Sequence, residues 1–205
     1  DCVIANPPFS LENWGATEWS SDKYKRNIYG TPSDSCGDYA WIQHMICSMS
    51  SGKGRMAVVM PQGILFRGNQ EAEIRKQLVE SDLIEAVVTL GDKLFYGTGL
   101  SPCFLIKRRM KQAHHSGRIL MIDGSKILTQ KRAQNILEEN DIDRLYSLYQ
   151  NYSDEEDYSR IVTLQEIRDK EYNLSPNRYV VYHKEEIRPY VEVLAEFKQD
   201  RKSVV

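Results

Sequence analysis

Two regimes of apolar patterning divide this chain. Short, unbroken apolar runs bounded by turn residues fill the first 125 positions, and sparser apolar residues set among charges follow. Cys2-Val3-Ile4-Ala5 is the first run and reads as a short buried strand. Residues 55–61, 83–90, 102–107 and 118–122 read as further strands. Tyr39, Ile42, Met45, Ile46 and Met49 fall on one stripe and predict a helix over 38–50, with Asp38 as its N-cap. A second helix is expected around 69–81. Alternating strands and helices imply parallel pairing with right-handed crossovers, while the short 91–101 connection permits an antiparallel last strand. The expected fold is about half of a doubly wound α/β sheet, in which ligands sit beyond the carboxyl ends of the strands. From residue 126 the pattern turns helical and charged, anchored by Leu128, Ile136, Leu137, Ile142, Leu145 and Leu148. The acidic run 154–157 reads as solvated, and a last helix is expected near 187–201. Residues 1–125 and 126–205 are thus read as an α/β unit and a mostly helical tail.

Asn6-Pro7-Pro8-Phe9 stands directly after the first run. A strand ending this way can present two hydrogen-bond acceptors and an aromatic ring at one point. That combination suits a planar amino group awaiting methylation, whose nitrogen is a poor nucleophile while its lone pair is delocalised. Asn6 offers a side-chain carbonyl and the Pro7 backbone carbonyl is the natural second acceptor. The prolines stiffen the turn and remove N–H donors from it. Phe9 is then placed to stack on a base, an interaction worth about 1–3 kcal/mol. The plainer alternative is a Pro-Pro turn closing a strand, with Asn6 as a turn residue.

Composition narrows the class. With 205 residues, 41% hydrophobic and 27% charged, the chain has the make-up of a water-soluble globular domain with ample core. It holds no apolar run of membrane-spanning length and no signal peptide, so no membrane partner is expected and a cytoplasmic location is. Cys2, Cys36, Cys47 and Cys103 lack paired metal-ligand spacing and read as reduced, buried thiols, and no metal is expected. The net charge of −2 makes no overall case for nucleic acid. Locally, Lys107, Arg108, Arg109, Lys111 and Arg118, with His114 and His115, form either a phosphate-contacting loop or a solvated turn. The stretch 10–36 interleaves Trp14, Trp19, Tyr24 and Tyr29 with Lys23, Lys25 and Arg26. It reads as a DNA-facing loop or as a disordered one whose aromatics pack locally.

Several islands, in order, resemble the methylation subunit of bacterial type I restriction–modification systems, a family of N6-adenine DNA methyltransferases. They are Asn6–Phe9, Gly37-Asp38-Tyr39-Ala40-Trp41 with Gln43-His44, the strand from Gly54 to Pro61 and its extension Gly63–Gly68. Glu73-Ile74-Arg75, Leu94–Gly99, Ile122-Asp123-Gly124, Asn173-Leu174 and Arg178-Tyr179 complete the set. The resemblance covers nearly the whole chain. It implies the C-terminal half of a Rossmann-like, class I S-adenosylmethionine-dependent methyltransferase sheet with a helical appendage. It also implies that Asn6, Pro7, Pro8 and Phe9 are catalytic, that Phe9 and Phe95 stack on the target base, and that Asn6 and Tyr39 face the cofactor. S-adenosylmethionine is the implied cofactor. DNA, a specificity subunit and a restriction subunit are the implied partners, the tail being a candidate contact for the specificity subunit. The family's glycine-rich cofactor loop and acidic ribose-binding residue belong before Asn6, so the chain is expected to be a piece of a longer polypeptide.

Overall fold

The computed structural model describes residues 1–96 and 99–183. Its centre is a six-stranded mixed sheet formed by β1 (Cys2–Ala5), β2 (Arg55–Pro61), β3 (Ile84–Leu90), β4 (Pro102–Arg108), β5 (Arg118–Gly124) and β6 (Ser159–Thr163). The spatial order is β1-β2-β4-β3-β5-β6. β1 and β2 pair in parallel, as do β3 and β5. β4 is antiparallel to both of its neighbours and separates the two parallel pairs. The antiparallel strand allowed by the short connection is therefore central.

The helices are α1 (Ala16–Ser20), α2 (Asp38–Ser48), α3 (Asn69–Glu80), α4 (Glu139–Asn151) and α5 (Leu164–Asp169). Ile42, Met45 and Ile46 of α2 and Ile74, Leu78 and Val79 of α3 bury against Met56, Val58, Met60 and Leu105 on one face of the sheet. Leu148 of α4 packs with Ala86, Val88, Leu120 and Ile122 on the other face. Apolar side chains on both faces explain why β3 is buried at every position.

Three expectations need correction. Among the described residues β1 is the outer strand of the sheet and is not covered: Ile4 is 79% exposed, and Cys2 and Cys47 are exposed while only Cys36 and Cys103 are buried. Asp38 is not the cap of α2; Gly37 holds that position, and Asp38 is a buried first-turn residue. The described part of the expected helical tail contains α4 and α5, but β6 lies between them and extends the sheet beside β5. The helix expected near 187–201 lies outside the described residues.

The stretch 10–36 is folded and packs locally. Trp19 of α1 is buried, Trp14 donates from Nε1 to the Ser33 carbonyl at 2.8 Å, and Arg26 is clamped by Asp22 at 2.6 Å. A Cβ on Gly37 would stand 2.8 Å from Cγ of Trp14, so only glycine lets this stretch close over the start of α2.

Candidate active site

Parallel pairing of β1 and β2 brings the segments that leave them to one edge of the sheet. Asn6 follows β1 there, and Gln62 follows β2. Gln62 ties that edge together by donating from Nε2 to the Leu90 carbonyl at 2.9 Å and the Pro102 carbonyl at 3.3 Å. The loop after β3 reaches the same place. Asn6, Pro7, Pro8 and Phe9 face Phe95 and Leu100 across a cavity of about 440 Å³. Such a volume is in the range of small-molecule pockets, and its lining is uncharged.

The rings of Phe9 and Phe95 lie 6.0 Å apart at 79°, edge to face. Two rings in that relation make a corner, so a flat heterocycle stacked on one meets the edge of the other. Both are half-buried rather than core residues, and Phe66 is 54% exposed. Asn6 is exposed and its side-chain amide bonds to no described residue. Its carbonyl is thus available to a ligand.

The turn is held from behind by a buried charge cluster. The Ser10 N–H, next to Phe9, donates to Oδ1 of Asp38 at 2.7 Å. Asp38 is fully buried and pairs with Arg67 at 2.5 Å, while Arg67 also pairs with Glu71 at 2.9 Å and donates to Sγ of Cys36 at 3.0 Å. The Glu71 oxygens have no aligned hydrogen bond, so the Arg67–Glu71 contact acts through charge. Burial pushes the Glu71 carboxyl above its ordinary range and the Cys36 thiol up to about 12. Cys36, Asp38 and Glu71 offer three ligand-type atoms within 4.8 Å of one another. The Arg67 guanidinium already lies among them, so this cluster has its cation built in.

Tyr39 does not line the cavity. It is a core residue whose hydroxyl donates to the Ile64 carbonyl at 2.7 Å. Asp38 is the site residue that sequence reasoning placed wrongly. An Asp just before the apolar stripe that starts at Tyr39 reads as an N-cap, whereas its partners Ser10 and Arg67 are distant in sequence.

The basic segment 107–118 lies at the opposite edge, since Arg109 N–H donates to the carbonyl of Gly54, the residue before β2. Arg108 pairs with Glu85 and Lys111 with Asp82, and Arg109 donates to the Ile46 carbonyl. Lys107 is fully buried. Arg108, Arg109 and Lys111 are thus engaged by the fold itself, and the whole segment stands away from the cavity.

Residues 1–187 match the family described as N-6 DNA Methylase. The chain belongs to that family. It is 35% identical, over its whole length, to the type I restriction enzyme MjaVII methylase subunit of Methanocaldococcus jannaschii, covering 37% of that protein. Over 88% of its length it is 31% identical to the HindI methylase subunit of Haemophilus influenzae, covering 41% of it. The crystal structure of the type I restriction-modification methyltransferase subunit from Streptococcus thermophilus superposes on 88% of this chain with a TM-score of 0.80 at 29% identity, covering 38% of that subunit. This N-6 DNA methylase chain therefore spans less than half the length of the relatives it matches. The shared fold is that of class I methyltransferases, as expected from the sequence. No helix among the described residues is long and apolar enough to cross a membrane.

Proposed function

We propose that this chain is the acceptor-base half of a type I modification subunit that methylates the N6 amino group of adenine in DNA. One observation carries the reading: an Asn-Pro-Pro-Phe turn at the end of β1 opens onto a cavity whose far wall is Phe95. The Asn6 and Pro7 carbonyls accept from the two amino hydrogens of an adenine swung out of the duplex. Gripping both hydrogens draws the nitrogen toward a tetrahedral geometry and releases its lone pair for attack. The Phe9–Phe95 corner holds the ring plane, and the stiff prolines fix the carbonyls before the base arrives.

S-adenosylmethionine would supply the electrophilic methyl group when bound, leaving as S-adenosylhomocysteine while the amino nitrogen gives up one proton. The residues present fit the acceptor better than this cofactor: among the described residues, the cavity lining holds no carboxylate for a ribose and no glycine-rich turn. Only Asn6 is left to face both groups, and the 205-residue chain alone is expected to bind S-adenosylmethionine weakly. DNA is the proposed substrate, with specificity and restriction subunits as partners. A specificity-subunit contact beyond residue 126 is supported by α4, which leaves Ile142 and Tyr146 exposed.

Mapping modified bases in host DNA, with this methylase expressed beside its neighbouring gene products, tests the reading. N6-methyladenine at a defined site is the expected result. N4-methylcytosine would move the acceptor to another amino group, and the absence of any modified base would contradict the proposal.

A further inference from the structure

A second cavity, of about 590 Å³, opens between the start of α3 and the segment 168–178. Backbone and side-chain bonds close its floor: Leu174 N–H donates to the Leu65 carbonyl at 2.9 Å, and Arg75 Nε donates to the Tyr172 carbonyl at 2.9 Å. Arg75 is only 3% exposed, and its other partners are the carbonyls of Ile64 and Arg67. No carboxylate pairs with it among the described residues. Lys76, Lys170 and Arg178 add three more cations to the lining, and Glu73 and Glu171 supply its only carboxylates among the described residues. Arg168 is already paired with Glu80 at 2.7 Å. Lys76 and Arg178 are exposed and make no ion pair with a described residue. The result is a concave surface with excess positive charge in a chain whose net charge is −2.

Bonded residues link this surface indirectly to the methylation turn. Phe66 and Gly68, which line it, flank Arg67 in sequence. Arg67 grips Asp38, and Asp38 accepts from the Ser10 N–H beside Phe9. Two bonds, Arg67 to Asp38 and Asp38 to Ser10, therefore run between the sequence neighbours of residues that line the two cavities.

We propose that this cavity takes backbone phosphates of the DNA strand that carries the target base. Duplex DNA presents a negative charge every ~1.7 Å of axis, so a strand entering the base cavity brings phosphates to any cationic surface beside it. Arg75 forms a fixed cationic floor, and Lys76 and Arg178 reach the anions from the rim. Exposed Phe66 offers an apolar ledge to the sugars. The proposal rests on the reading that this chain acts on DNA, and deepens it by naming where the backbone lies.

The test is the salt dependence of binding between the chain and a short labelled duplex, read by fluorescence anisotropy. Substituting Lys76→Gln and Arg178→Gln together should lower the slope of log K against log salt by about 1.8 and weaken binding by on the order of tenfold or more at 0.1 M salt. Each single substitution should lower it by about 0.9, which serves if the double variant folds poorly. Lys53→Gln with Arg55→Gln, at the other edge of the sheet, should leave the slope unchanged. An unchanged slope in the double variant, an equal loss in the control, or no duplex binding by the wild type overturns the proposal. So does a poly-glutamate peptide whose binding is lost in the double variant while duplex binding is kept, since that assigns the cavity to an acidic protein partner. A slope that responds although host DNA carries no N6-methyladenine keeps the cavity assignment and removes the adenine reading. The converse pair of results does the reverse.

Discussion

The two edges of this sheet carry similar side chains in opposite states. Where β1 and β2 begin, Arg108, Arg109 and Lys111 are spent on Glu85, a backbone carbonyl and Asp82. Where those strands end, Asn6 bonds to no described residue, and along α3 and the segment 168–178 Lys76 and Arg178 form no ion pair with a described residue. Exposed polar groups that no protein group engages, set around a cavity, are the ones free to take a ligand. Charge density along the sequence points to the wrong edge. Pairing, which only the fold reveals, points to the right one.

The sharpest way to break this contrast is at Asn6. Asn6→Ala should lower methyl transfer by about 10²–10³-fold, the usual cost of deleting a preorganised polar contact at a reacting centre. Because Asn6 is exposed, its thermal unfolding should stay within about 0.5 kcal/mol of wild type. Retained activity, measured as N6-methyladenine in host DNA, would remove Asn6 from the chemistry.

Asp38 supports the same edge from behind, and its loss should be felt in stability. Asp38→Asn leaves Arg67 without its closest carboxylate and should cost about 3 kcal/mol in urea unfolding. A cost below about 0.5 kcal/mol would mean that the cluster does not hold the turn.

The opposite edge yields a change of the other sign. Lys107 sits in β4 with no hydrogen-bond partner for its amine among the described residues, and burial holds its pKa well below the ordinary 10.5. The folded state therefore binds fewer protons than the unfolded chain between those two values, and stability rises with pH across that interval. Lys107→Met should stabilise the protein by about 1–3 kcal/mol at neutral pH, with a gain that shrinks as pH climbs toward the usual lysine range. Chemical denaturation at pH 7 and pH 10 reads both the sign and the trend. The smallest effect is expected at Lys111→Gln, which should cost about 1 kcal/mol and leave the salt dependence of DNA binding untouched.

How much of this was legible beforehand follows from how local each signal is. Strands β2 to β5 announce themselves as apolar runs, and the Asn-Pro-Pro-Phe turn is contiguous, so both are readable residue by residue. Phe95 entered through the family resemblance, and the structure does bring it to Phe9. Asp38 escaped because its partners lie 28 and 29 residues away, at Ser10 and Arg67. β6 escaped because Ser159–Thr163 is five residues long and follows an acidic run, where pairing with β5 rather than intrinsic pattern makes the strand. Cys2 and Ile4 are exposed because β1 has a neighbouring strand on one side only among the described residues. Lys107 shows the limit of composition, since a lysine in a basic stretch reads as solvated until its neighbours in β2 and β3 enclose it.

The claim at the centre is that the corner after β1 recognises an exocyclic NH2 group. Titration of the ¹⁵N-labelled chain with adenosine, and separately with purine riboside, which lacks that group, tests it directly by NMR. Saturable shifts of the Asn6 side-chain amide with adenosine, and little or none with purine riboside, are the predicted result. Equal shifts with both nucleosides, or an Asn6 amide that ignores adenosine, would contradict it.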